Sequence, residues 1–97
     1  MIKIILIITK KEIKKDEVVV INNKITMIDD YHLKLNDEII QFDYLIIEDL
    51  ELVLEIEKAN FLIDDKVPVT NFFGQTSQEH IYVGDIENAL DHLYNGD

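Results

Sequence analysis

Three histidines, His32, His80 and His92, are the side chains best suited to move a proton or hold a metal near neutral pH. No two of them stand at a His-x-x-x-His spacing, so a zinc site has no support in the sequence. Strand alternation puts His32 on a solvent face. His92 falls on a final helix among acids, where a surface role is expected. His80 precedes an apolar strand, and no pattern assigns it a role. Carboxylates occur as adjacent pairs at Asp29-Asp30, Glu48-Asp49 and Asp64-Asp65. Glycosidase chemistry needs two carboxylates held across a cleft. With 20 acids in 97 residues, neighbours arise by composition alone, and Asp-Asp is first a turn signal. No Asp-x-Asp-x-Asn-Gly run of an EF-hand is present. Ser77, the only serine, lacks the Gly-x-Ser-x-Gly elbow of a nucleophile. Gly74, Gly84 and Gly96 stand too far apart to build a glycine-rich phosphate cradle. There is no cysteine, which removes disulfides, thiolate nucleophiles and thiolate metal ligands together.

Charge narrows the partners. The formal net charge is −11, unevenly placed. Residues 1–28 carry six lysines against three acids, and residues 29–97 carry three lysines against seventeen acids. Arginine is absent. Direct nucleic-acid binding is therefore not expected, because phosphate neutralisation needs a basic surface and base reading favours arginine. Solubility is the plain reading of the negative charge. The sharper one is an acidic face that engages a basic protein or imitates nucleic acid.

The elements that must position these residues follow from hydrophobic periodicity. Hydrophobic residues make up 47% of the chain, enough for a core, and the length suits a single domain over 1–97. Residues 2–9 read as a buried β-branched strand. Its apolar run is too short for a membrane span and lacks a secretory leader's basic start and cleavage site. Strands are expected over 17–21 and 24–28, joined as a hairpin by Asn22-Asn23. Tyr31, Leu33 and Leu35 alternate with His32 and Lys34 as in a half-buried strand. Asn36-Asp37 turns the chain into 38–47, with Asp43 marking a break between two strands. Residues 50–59 fit both strand and helix, with the strand favoured for the first part. Short extended pieces at 61–63 and 67–69 flank Asp64-Asp65, with Pro68 at an edge or in a loop. A loop over 71–79 leads into a strand at 80–83. Asp85 caps a last helix with Glu87 in its first turn, apolar face Ile86, Ala89, Leu90 and Leu93, and Gly96 past its end. The expected class is α+β: a strand-rich antiparallel meander, a mixed C-terminal part and one C-terminal helix.

The stretch Thr76 to Ile86 (TSQEHIYVGDI) resembles an ending found in the flavin-dependent pyridine nucleotide–disulfide oxidoreductases, where a Thr-Ser segment leads into an Ile-Tyr-Ala-x-Gly-Asp strand. Asp43 to Glu48 (DYLIIE) is similar to that family's Tyr-Asp-x-Ile-Ile strand, and Ile63 to Val69 (IDDKVPV) to the segment before the Thr-Ser motif. Lys24 to Gln41 resembles its β-meander. The nearest subgroup is the coenzyme A disulfide reductases. The resemblance covers roughly residues 17–90 as an ordered series of short, individually unspecific matches. It implies the tail of a nicotinamide-domain meander running into the C-terminal part of an FAD domain, with Gly84 and Asp85 contacting FAD. The sequence departs from the family in lacking both glycine fingerprints and the redox cysteine. Its last motif is also one residue shorter, which flips side-chain facing along a strand. A strand end followed by a helix cap accounts for Gly84-Asp85 without a cofactor.

Together these readings lead to a cytoplasmic, non-catalytic interaction module resembling a truncated reductase fragment, with a protein partner or a second copy of itself, no bound cofactor and no membrane. The alternatives are an acidic nucleic-acid mimic that blocks a DNA-binding protein, and a residual FAD or nucleotide binder.

Overall fold

The computed structural model describes residues 3–95. Its strands are β1 (Ile5–Ile8), β2 (Val18–Ile21), β3 (Ile25–Met27), β4 (His32–Leu35), β5 (Glu38–Gln41), β6 (Tyr44–Ile47), β7 (Val53–Leu54), β8 (Ile63–Asp64), β9 (Val67–Pro68) and β10 (Ile81–Val83). One helix, α1 (Ile86–Asn95), closes the described chain. Three layers stack: α1, a four-stranded sheet ordered β10-β6-β1-β2, and a four-stranded sheet ordered β5-β4-β3-β7. The pair β8-β9 stands apart as a small ribbon.

The first sheet is parallel throughout. Of its two inner strands, β1 is buried along its whole length because both faces are covered. Leu6, Ile8, Leu45, Ile47 and Ile81 point to the second sheet and meet Ile25, Met27, Leu33 and Phe42. The alternate residues Ile5, Ile7, Ile46 and Tyr82 point to Ile86, Ala89 and Leu90 of α1. That two-sided burial is why β1 and β6 read as unbroken apolar runs and not as alternation.

The α+β class with one C-terminal helix holds, and β3-β4-β5 is the antiparallel meander expected. The expectation of antiparallel pairing elsewhere is corrected: β1, β2, β6 and β10 are parallel neighbours. The hairpin at Asn22-Asn23 is corrected with it. β2 belongs to the first sheet and β3 to the second, so the chain crosses between layers there. The Asn22 amide explains why no hairpin closes. Its Nδ2 donates to the carbonyls of Thr9 and Lys11, both at 2.8 Å, and fastens the 9–17 connection to the end of β2.

Residues 50–59 take neither pure form. A 3₁₀ turn at Leu50–Leu52, the short β7 and a second 3₁₀ turn at Ile56–Lys58 follow one another, with Glu55 in the left-handed region between the last two. Asn36-Asp37 turns as read, both residues at positive φ (48° and 69°). The β8–β9 turn sits on Asp65-Lys66, one residue later than Asp64-Asp65. Gly96 lies outside the described residues. Among the described residues no helix is long and apolar enough to cross a membrane.

Candidate functional site

In open sheets with parallel strands, ligands bind beyond the carboxyl ends where strand order reverses. Here that point lies between β1 and β6, since the chain leaves β1 towards β2 and later returns on the other side to β6 and β10. The residues gathered there are Thr9 after β1, Glu48-Asp49 after β6, and Gly84-Asp85 after β10. Thr9 is fully buried. Its hydroxyl donates to the Glu48 carboxylate at 2.7 Å and accepts the Lys11 backbone N–H at 3.1 Å. Asp49 accepts the Lys10 backbone N–H at 2.7 Å. Lys11 Nζ stands 3.3 Å from Glu48. At the mouth, Glu51 pairs with Lys10 and raises its ammonium pKa, through a direct hydrogen bond foremost.

A shallow crevice of about 260 Å³ opens beside this network, lined by Lys11, Ile13, Glu48, Asp85, Ile86 and Glu87. Three carboxylates face one ammonium, so its field is negative. Asp85 is engaged locally: its Oδ1 accepts the Asn88 N–H at 2.9 Å, and its carbonyl accepts Ala89 N–H at 3.1 Å. That is the expected N-cap. Gly84 stands at φ +128°, a conformation side chains rarely adopt, and its N–H donates to the Ile47 carbonyl at 2.8 Å. The structure thus brings Gly84 and Asp85 to the carboxyl end of the sheet and gives each a structural task.

A second concavity lies at the opposite, amino ends of β6 and β10. It holds about 300 Å³ and is lined chiefly by Tyr31, Tyr44, Glu79, His80, Tyr82 and His92, with Gln75 and Leu93 completing the wall. Both histidines of this wall are held by aromatic partners. His80 stacks on Tyr31 with ring centroids 4.4 Å apart, and its Nε2 donates to the Asp30 carbonyl. His92 stacks on Phe73 at 4.2 Å and meets the edge of Tyr82 at 5.8 Å. The surface role expected for His92 is thereby corrected to a half-buried packing role. Burial raises the Tyr82 phenol above its ordinary range, with Tyr44 and the Glu79 charge adding to it. His32 is partly solvent-facing as read, and its Nδ1 stands 2.8 Å from Asp29. The Asp29 carboxyl is held below its ordinary range by the Tyr31 backbone N–H first and by His32 second.

The sequence reading missed Thr9 as a buried hub, because one threonine ending an apolar run carries no pattern. It missed the tyrosine–histidine cleft because its members come from four distant segments. Among the described residues no group of three or more His, Cys, Asp or Glu side chains is arranged to hold a metal. Comparison of the chain with family models, curated proteins and solved structures gives no significant match.

Proposed function

We propose that this chain is a non-catalytic interaction module that pairs with a second copy of itself through the free edge of β2. The carrying observation is the edge itself. The Thr9 N–H bonds to the Ile21 carbonyl at 3.0 Å, so Val19 and Ile21 turn their backbone groups toward β1. Val18 and Val20 turn theirs outward, with no partner among the described residues. The strand is uncharged, and Val19 is 53% exposed. A free, apolar, uncharged edge is the surface that natural proteins otherwise protect with charge, proline or a bulge.

A second copy is the occupant that fits: the edge strand carries no charge, so an identical strand pairs with it without like-charge repulsion. A two-fold antiparallel pairing of β2 with itself, centred on Val20, brings outward-facing residues together. Pairing joins two four-stranded sheets into one continuous sheet.

The other readings find less support. Acidic residues stand at both ends of the sheets, with Asp43 before β6 and Glu48-Asp49 after it, and with Asp29-Asp30 and Asp37 at opposite ends of β4. Nucleic-acid mimicry calls for carboxylates gathered on one face, and these stand at opposite ends. For FAD or another dinucleotide, the relevant crevice is lined by carboxylates, the 9–17 connection contains no helix, and the N-terminus of α1 is occupied by its own aspartate. Amide hydrogen exchange tests the proposal: Val18 and Val20 are protected at high protein concentration and exchange freely on dilution. Fast exchange of both at all concentrations contradicts it.

A further inference from the structure

The outer edge of β10 is closed by the segment 71–76, at the opposite side of the first sheet from β2. The Val83 N–H donates to the Gly74 carbonyl at 2.7 Å, and the Thr76 N–H to the Ile81 carbonyl at 2.9 Å. The segment turns on Asn71. Its Oδ1 accepts the N–H groups of Phe73 and Gln75 at 2.9 and 3.0 Å. Its own N–H donates to the Gln75 carbonyl at 2.9 Å, and its carbonyl accepts the Gly74 N–H at 3.1 Å. Phe73 folds back and stacks on His92 at 4.2 Å. Phe72, the first central residue of this turn, is left 96% exposed.

A single exposed apolar side chain is ordinary on a protein surface. Phe72 differs in two respects. The turn already fixes its backbone, so little order remains to be lost when the ring is buried. It also stands beside a groove of about 280 Å³, lined by Phe73 and by Asn88, Asp91, His92 and Asn95 of α1. The Asn88 amide reaches the Phe72 carbonyl at 3.5 Å and ties the turn to that wall. A bare aromatic ring on a held turn has the form of an interface anchor. Charge decides the partner. Residues 67–97 contain five acids and no lysine or arginine, and Asp91 stands in the groove wall. A second copy would bring like charges together there, and an anionic lipid surface would repel this region.

We propose that Phe72 anchors a docking surface for a folded protein partner, one that offers an apolar pocket rimmed by lysine or arginine. A chain paired through β2 keeps this surface free, because the two edges lie on opposite sides of the sheet.

A β-cyclodextrin whose rim hydroxyls are replaced by amines reproduces that chemistry, an apolar cavity ringed by ammonium groups. It is titrated beside neutral β-cyclodextrin and a carboxymethylated one, with phenylalanine ring signals read by two-dimensional carbon–proton NMR. The chain has four phenylalanines, and the buried Phe42 and Phe61 serve as internal controls. The expected result is saturable movement of Phe72 with still Phe42 and Phe61, and the amine-rimmed ring binding severalfold tighter than the neutral one and the carboxylate ring weakest. Asp91→Asn is expected to narrow that preference and leave the neutral ring's affinity unchanged. Phe72→Ser is expected to abolish the response, shift Tm by less than about 4 °C and leave self-association as it is. The Val19→Lys monomer is expected to respond like the parent, so this surface is tested apart from the β2 edge. Equal affinity for the three rings, an unchanged response in Phe72→Ser, or a large fall in its Tm overturns the proposal. So does loss of self-association in Phe72→Ser, which assigns the ring to a second copy. Phe72-dependent binding to vesicles of phosphatidylcholine and phosphatidylglycerol assigns it to a membrane and overturns the proposal equally.

Discussion

The Thr9 hydroxyl donates to the Glu48 carboxylate at 2.7 Å, tying the carboxyl end of β1 to that of β6 where the strand order reverses. Thr9 is fully buried and also accepts the Lys11 N–H, so one hydroxyl satisfies two partners. Thr9→Val keeps the shape and leaves both without it. The expected cost is about 1–3 kcal/mol, read as a lower urea midpoint at unchanged m-value.

Two glycines are required for different reasons, and the substitutions rank accordingly. A Cβ at Gly74, at φ +80°, would lie 2.8 Å from the Val83 carbonyl oxygen. A Cβ at Gly84, at φ +128°, would meet nothing within 4 Å. Gly84→Ala is expected to cost about 1–3 kcal/mol from backbone strain alone, and Gly74→Ala more, since it adds a clash with backbone. Urea denaturation of both variants gives the order.

Asp85 is a helix cap in this account. Asp85→Ala is expected to lose about 1 kcal/mol of stability, within the range for lost N-caps. FAD is expected to leave the Tm of both proteins unchanged, since a ligand that binds only the folded state must raise it. A rise in Tm of the parent with FAD, abolished in Asp85→Ala, would restore a cofactor role to Gly84-Asp85.

Tyr82 couples stability to alkaline pH. Its phenol pKa is raised in the fold, so the folded state holds a proton that the unfolded state releases. The contribution is fully present below the unfolded value of about 10 and is lost as pH rises through the folded one. Ultraviolet titration should show one tyrosine ionising late, above the unfolded value of about 10, and Tyr82→Phe should remove that late step. At the acid side the sign is reversed. Asp29 is depressed, so its contribution stands above the unfolded value of about 3.9 and is lost as pH falls through the folded one.

Strand positions were legible in the sequence because β-branched runs broken by Asn and Asp mark them. Asp43 separates β5 from β6 as expected, and its carboxylate accepts the Ile4 N–H at 2.7 Å. Strand partners were less legible. Asn22-Asn23 has the composition of a hairpin turn, yet the Asn22 amide bonds back to the 9–17 connection, and a parallel ladder with β1 wins. Parallel pairing depends on distant segments and leaves no local turn signal. The cleft was hidden for a similar reason: Tyr31 meets His80, and Phe73 meets His92, only once the sheets are stacked. Residues 50–59 fit two periods because the chain there changes conformation twice within one short segment.

Self-association through β2 is the central claim, and sedimentation equilibrium over about 1–200 µM tests it most directly. The parent chain of 11.3 kDa is expected to approach twice that mass as concentration rises. Val19→Lys, which sets a charge on the exposed face of the edge strand, is expected to remain at monomer mass with an unchanged circular dichroism spectrum. Monomer mass for the parent across the whole range, or a dimer that Val19→Lys leaves intact, would contradict the account.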